Sequence, residues 1–268
     1  MNKFKDKVVA ITGGTNGIGK ALVIEFLNAG AKVSTCARTG DKLLNLSKEL
    51  NSASLLTVQA DVCKETDCAN FISETLNAFG HIDILVNNAG ISMRALFKDT
   101  EISTLKKLMD VNFWGSVYCT KFALESVIQN KGSIVSVSSI AGYRGLPGRS
   151  GYSASKFALN GWMEALRTEL LDSGVNVLWV CPGFTQSNIR NVALNKDAKP
   201  QGESPLNESK LMTAEECAGY IIKAVEKRKR TLILTFTGKE TVWLNKLFPN
   251  LADKLTKKFF FKNGELIK

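Results

Sequence analysis

The segment Tyr152-Ser153-Ala154-Ser155-Lys156 sets a phenol and an ammonium four residues apart. On a helix that spacing puts both side chains on one face, within reach of each other. A free phenol titrates near ~10 and moves protons poorly at neutral pH. A neighbouring cation favours the phenolate, so Lys156 is expected to bring Tyr152 down toward the working range as a general acid/base. Pairs with this spacing also decorate many exposed helices, and the pair alone decides little. A hydroxyl able to hold a substrate oxygen in line with the tyrosine is offered by Ser138-Ser139, at the end of an apolar run of strand length. Asn112, in Asp110-Val111-Asn112, is a further candidate.

A second kind of chemistry is written near the start of the chain. Thr12-Gly13-Gly14-Thr15-Asn16-Gly17-Ile18-Gly19 follows the strand-like run Lys7–Thr12 and opens the helix-like run Gly17–Asn28. Glycines there let the backbone turn tightly and approach a pyrophosphate, while the helix start offers free N–H groups to the anion. The end of the next strand selects the dinucleotide. A binder of the non-phosphorylated form usually places a carboxylate there for the ribose hydroxyls. Here Ala37 and then Arg38 occupy that place, and a guanidinium can grip a 2′-phosphate with two parallel bonds. NADP(H) is therefore the expected cofactor. Asp41, after Gly40, is expected to cap the following helix. Asp61-Val62 closes the third strand, where a carboxylate can accept from an adenine amino group, and Asn87-Asn88-Ala89-Gly90 closes the fourth.

The elements that must hold these residues alternate. Strand-like runs are Lys7–Thr12, Lys32–Cys36, Leu55–Ala60, Ile82–Val86, Ser133–Ser138, Val175–Val180 and Thr231–Leu234. Helix-like stretches between them include Asp41–Leu50, Glu65–Phe79, Thr100–Ile128 (read as two helices in succession), Tyr152–Leu171 and Ala214–Lys227. Strands without an alternating polar face, separated by helices, predict a parallel sheet covered on both sides. The right-handed crossover rule then gives an α/β, single-domain, doubly wound Rossmann fold with a mostly seven-stranded parallel sheet. The expected division is 1–236 for this domain, with an irregular substrate loop over 184–212, and 237–268 for a basic, amphipathic C-terminal helical tail.

Composition excludes several other classes. The 268 residues carry a net charge of +10, but residues 221–268 hold 12 Lys/Arg against 4 Asp/Glu, so the body is close to neutral. A nucleic-acid protein would carry its positive face on the folded core, and none is expected as partner. The single histidine, His81, rules out a multi-histidine metal site and reads as a surface-turn residue; no metal is expected. Six cysteines without a CxxC pair read as buried, reduced thiols. No apolar run approaches the ~20 residues of a membrane-spanning helix, and the opening residues lack a signal-peptide core, so a cytoplasmic protein is expected.

Taken in order and spacing, TGxxxGxG, NNAG, the strand-end serine, YxxxK and Pro182-Gly183 resemble the short-chain dehydrogenase/reductase family over about residues 5–235. The resemblance implies an oxidoreductase that moves a hydride between nicotinamide and a carbonyl or secondary alcohol. Carried over residue by residue, it implies Tyr152 as general acid/base and Lys156 as its partner and ribose ligand. Ser139, thirteen residues before the tyrosine, matches the carbonyl-orienting serine better than Ser138 does. Asn112 matches the residue that bends a helix and holds a relay water. It implies cofactor contacts from Gly13, Thr15, Asn16, Gly17, Ile18 and Gly19, from Arg38, Asp61 and Val62, from Asn88, Ala89 and Gly90, and from Pro182, Gly183 and Ser187. Two departures stand out: Ser187 replaces a threonine common after Pro-Gly, and Asn16 replaces a basic residue common in NADP(H)-preferring members. A homodimer or homotetramer through the long helices is also implied.

Around the site, the segments 92–97 and 143–147 supply apolar and basic walls suited to a medium-sized carbonyl or alcohol compound. Arg94, Arg144 and Arg149 are expected as solvated loop residues, with a grip on an anionic group as the alternative. The tail mixes Trp243, Phe248 and Phe259–Phe261 with lysines. Such helices can lie in a membrane interface, on a partner subunit or on the parent domain. Peripheral membrane contact is the least favoured of the three. The competing functional reading is a non-catalytic NADP(H) sensor or scaffold on the same fold, which would gain nothing from serine, tyrosine and lysine in register.

Overall fold

The computed structural model describes residues 3–207, 209 and 211–267. The extreme ends of the expected domain and tail, and Glu208 and Lys210 of the expected substrate loop, lie outside the described residues. The first strand, β1 (Val8–Thr12), is buried at every position. Its alternate residues serve two cores: Val8 and Ala10 face one, Val9 and Ile11 the other. That is what a strand in the middle of a covered parallel sheet must do.

The remaining strands are β2 (Lys32–Ala37), β3 (Leu55–Gln59), β4 (Ile84–Asn87), β5 (Ser133–Val137), β6 (Asn176–Cys181) and β7 (Thr231–Ile233). They form a seven-stranded sheet in the order β3-β2-β1-β4-β5-β6-β7, parallel at every pairing. The order reverses between β1 and β4, which opens a crevice beyond their carboxyl ends. Helices α1 (Gly17–Asn28) and α7 (Ala214–Glu226) pack together over the Val9/Ile11 core. Over the opposite core lie α3 (Glu65–Phe79), α5 (Gly115–Gln129) and α6 (Ser150–Glu169). A further helix, α2 (Gly40–Leu50), leans on β2 and β3.

Several boundaries differ from the sequence expectation. The Thr100–Ile128 stretch is α4 (Ile102–Met109), a π turn over Asp110–Trp114, and then α5 without a break. The ladder widens where the Asn112 side chain reaches sideways to the backbone of Ile91, and π turns of this kind gather at functional places. Strand β4 begins two residues late, at Ile84. Ile82 N–H is already spent on Ser126 Oγ at 2.8 Å, and the Asp83 carboxylate accepts from Val8 N–H at 2.8 Å and Lys7 Nζ at 2.7 Å. His81 stands at that turn, its Nε2 2.9 Å from Asp83. Helix α6 starts at Ser150, ahead of Tyr152, and Thr39 rather than Asp41 is the N-cap of α2. Five of the six cysteines are buried and none is paired.

Beyond β7 the chain forms α8 (Phe236–Leu247), α9 (Pro249–Phe260) and a small antiparallel hairpin, β8 (Phe261–Lys262) with β9 (Glu265–Leu266). The helices were expected and the hairpin was not. Among the described residues no helix is long and apolar enough to cross a membrane.

Candidate active site

A cleft of about 420 Å³ runs along the carboxyl ends of the strands. Its floor is the turn from β1 into α1, lined by Gly13, Thr15, Asn16, Gly17, Ile18 and Gly19. The lack of side chains there is obligatory: a Cβ on Gly19 would sit 2.2 Å from Gly13 O, and Gly13 itself has φ of +73°. One residue that the sequence did not single out fixes this floor to the next segment. Thr12 Oγ1 accepts from the N–H groups of both Asn88 and Ala89 at 3.0 Å, and Asn88 Nδ2 donates to Thr12 O at 2.9 Å. The glycine turn and the Asn88–Gly90 turn are thus one rigid rim.

At one end of the cleft stand Arg38, Thr39 and Lys42, followed by Asp61 and Val62. Lys42 is a second cation beside Arg38, presented by the first turn of α2. Its signal in sequence was only a lysine two residues past Gly40. Pro182, Gly183 and Ser187 form the opposite wall, and a Cβ on Gly17 would lie 3.2 Å from Ser187 Cβ. The segment after β6 therefore closes down on the glycine turn. It is pinned at mid-length by Arg94 N–H to Leu194 O (2.8 Å) and Leu194 N–H to Ser92 O (2.9 Å). An extended, phosphate-bearing dinucleotide fits such a trough: a side-chain-free turn at a helix start, cations at one end and a carboxylate at the third strand.

Ser139, Tyr152 and Lys156 line the same cleft. Helix α6 carries the last two on one face, and Lys156 Nζ lies 5.8 Å from the Tyr152 ring centroid. Lys156 is buried and donates to Val137 O at 2.8 Å. Burial lowers its pKa to about 8. The expected lowering of Tyr152 by Lys156 is not what the geometry gives. Burial pushes the half-buried phenol above its ordinary value; Ser139, then the Arg149 and Arg190 charges, pull the other way.

Asn112 is not on the cleft wall. It is fully buried behind the Asn88–Gly90 turn, donating to Ile91 O (3.0 Å) and Ser155 Oγ (2.9 Å) and accepting from Ile91 N–H (2.8 Å). Its side chain holds the rim beside the α6 residues in place. Ser138, the neighbour of Ser139, points elsewhere, to Asn160 Oδ1 at 2.6 Å. Beneath the site, burial raises the Cys181 thiol to about 12, so it is no nucleophile. Among the described residues no cluster of His, Cys, Asp or Glu could hold a metal.

The short chain dehydrogenase family profile matches residues 7–198. The chain belongs to that family. Dehydrogenase/reductase SDR family member 7B of Mus musculus is 35% identical over 256 residues, covering 92% of this chain and 79% of its own length. 11-beta-hydroxysteroid dehydrogenase A of Arachis hypogaea is 36% identical, over 92% of this chain and 73% of its own. The crystal structure of a short chain dehydrogenase/reductase from Burkholderia phymatum in complex with NAD superposes with a TM-score of 0.83 at 22% identity, covering 94% of this chain and 96% of that one. As a member of this oxidoreductase family, the chain departs from its sequence expectation chiefly at the arginines. Arg149 is only 8% exposed, and Arg94 and Arg190 line the same end of the cleft. Arg144 instead leaves for the tail, where it bonds Asn245 at 2.8 Å and pairs with Asp253. Of the three loop arginines, none is the freely solvated residue expected.

Proposed function

We propose that this short-chain dehydrogenase is an NADP(H)-dependent oxidoreductase acting on a carbonyl compound or the matching secondary alcohol. The observation that carries the reading is the meeting of Ser139, Tyr152 and Lys156 with the glycine turn in one cleft. Arg38 and Lys42, with no acid at the end of β2, favour a 2′-phosphate over a free ribose hydroxyl. A bound nicotinamide supplies the hydride acceptor or donor; the protein supplies orientation and charge. In the reducing direction Ser139 and Tyr152 hold the carbonyl oxygen, and Tyr152 gives it a proton as negative charge develops there. Burial keeps the phenol protonated in the free protein, while Ser139 and the Arg149 and Arg190 charges pull its pKa back down. Lys156 anchors the floor of the site at Val137 O and offers its remaining N–H groups to a ribose. Asn112 acts as a positioning residue for the rim. A homo-oligomer through α5 and α6 suits the exposed Phe122 and Phe157 on those helices and Trp114 on the π turn before α5.

The test is a panel of ketones and secondary alcohols, followed by NADPH and NADH absorbance. NADPH consumption with at least one ketone, faster than with NADH, is expected. If the cofactor binds and no substrate is turned over in either direction, the sensor or scaffold reading replaces this one.

A further inference from the structure

From the buried guanidinium at the substrate end of the cleft we infer that the substrate bears an anionic oxygen head, a carboxylate or a phosphate, held by Arg149 next to the reacting carbonyl. This rests on the oxidoreductase reading above and narrows it to a class of substrate.

Arg149 occupies a costly place. It is the N-cap of α6, a 20-residue helix with no acidic residue in its first turn. A cation there faces the positive end of the helix dipole. The side chain is 8% exposed, and its Nη1 is buried with no hydrogen-bond partner. Burial lowers its pKa, and the Arg94 and Arg190 charges push the same way. Leaving a buried charged donor unmet is costly. Arg94 Nε and Arg144 Nε are also buried without a partner, but the other packed arginines have their terminal nitrogens met. Arg167, stacked 4.1 Å over Trp179, donates to Val177 O and Arg230 O. Arg144 spends both terminal nitrogens on Asn245 and Asp253.

The surroundings of Arg149 look built for a ligand that completes it. It lines the cleft three residues ahead of Tyr152, close enough for its charge to act on the phenol. Two more guanidiniums converge from separate segments. Arg94 comes from the loop after β4, with Nη2 3.5 Å from Leu266 O and Glu203 3.8 Å away at the surface. Arg190 comes from the segment after β6, braced by Nη2 to Thr185 O at 2.7 Å. Among the described residues lining the cleft, the one acid is Asp61, at the far end beside Arg38. The tail seals the back: the Phe260 ring centroid lies 5.4 Å from Arg149 Cζ. Leu266 packs where any Cβ on Gly148 would be, 2.5 Å from its Cδ2. Excluding water in this way strengthens an ion pair with whatever anion enters. Leu146, Phe184 and Val192 line the same end and suit an apolar body attached to the head.

The test compares three aliphatic ketones of equal length, ending in a methyl group, a carboxylate and a phosphate monoester, with saturating NADPH. Wild-type protein is expected to favour one anionic member over the methyl ketone by about 100-fold in kcat/KM, mainly through KM. The carboxylate and phosphate arms tell which head the site takes. In Arg149→Met the anionic-to-neutral ratio is expected to collapse toward one, and Arg149→Lys to recover part of it. Should Arg149→Met not fold, Arg94→Met is read by the same ratio, with a smaller fall expected. A preference for the methyl ketone, or a ratio unmoved by these variants, overturns the anion site and leaves the oxidoreductase reading standing. If no ketone is turned over, that reading falls by itself. Calorimetric titration of inorganic phosphate and of acetate into NADP⁺-saturated protein then decides. Binding that Arg149→Met abolishes supports the site; no binding, or binding the variant keeps, removes it.

Discussion

The two ends of the cleft are made from different materials. The dinucleotide end is largely backbone, with Arg38, Lys42 and Asp61 at its edge: a glycine turn, the Asn88–Gly90 turn tied to it by Thr12, and a helix start. The substrate end is side chain: Tyr152, Ser139 and three arginines drawn from three segments, backed by residues of the tail. The first end follows from sheet topology, since every parallel strand delivers its turn to the same rim. The second depends on tertiary convergence of loops that no short-range rule places. A change at one end should therefore leave the other measurable, and the following variants press on that independence.

The largest separation is expected from Tyr152→Phe, which removes the proton but not the ring. Turnover should fall by about 10²–10⁴-fold while NADPH affinity stays near wild type, as read by steady-state kinetics beside fluorescence titration. Near-normal turnover would remove Tyr152 from the chemistry. Gly19→Ala attacks the other end. With Gly13 O 2.2 Å from the added methyl, the turn must open. NADPH and NADH binding should both weaken by at least ~10-fold, since the helix-start donors move together. Arg38→Ala is finer: NADPH affinity is expected to drop about tenfold with NADH little changed, a loss the size of one charge-assisted bond. An equal loss for both cofactors would mean that Arg38 does not read the 2′-phosphate.

The smallest effect is on stability, and its sign is opposite to intuition. Burial holds Lys156 at about 8, below its ordinary 10.5. The cost of keeping it charged is thus fully present below pH 8 and fades as pH rises toward 10.5. Lys156→Met, which also loses the bond to Val137 O, should be more stable than wild type at pH 7 by ~1–2 kcal/mol in urea unfolding. The gap should close as pH rises. A destabilised variant at pH 7 would mean that the bond to Val137 outweighs the burial cost.

How much of this was readable beforehand differs in the same way between the two ends. The strand and helix pattern gave the sheet and its rim because continuous apolar runs such as Val8–Thr12 and Ser133–Val137 have one reading between glycine turns. Gly13, Arg38, Asp61 and Asn88 were placed correctly at one cleft for that reason. The helix bend that the family resemblance implied at Asn112 is a π turn; that form was not visible, because it arises from bonds to Ile91, 21 residues earlier. Lys42 was passed over because helix register, not residue type, aims it at the cleft. Arg149 was read as a solvated loop residue since nothing local reports that Phe260, more than a hundred residues later, covers it. The hairpin that carries Leu266 did leave a signal. Asn263-Gly264, both at positive φ, is a two-residue turn pair that two strands of two residues each flank. Its strands are too short to stand out.

The back wall at Phe260 and Leu266 has a consequence for how the protein matures. A polypeptide is made from its amino end, and the glycine turn is translated long before α7, which packs on α1 and steadies it. The compartment for the anion waits for a segment translated some hundred codons after its own arginine. During synthesis, then, the Arg149 guanidinium stands uncovered until the last segment of the chain arrives.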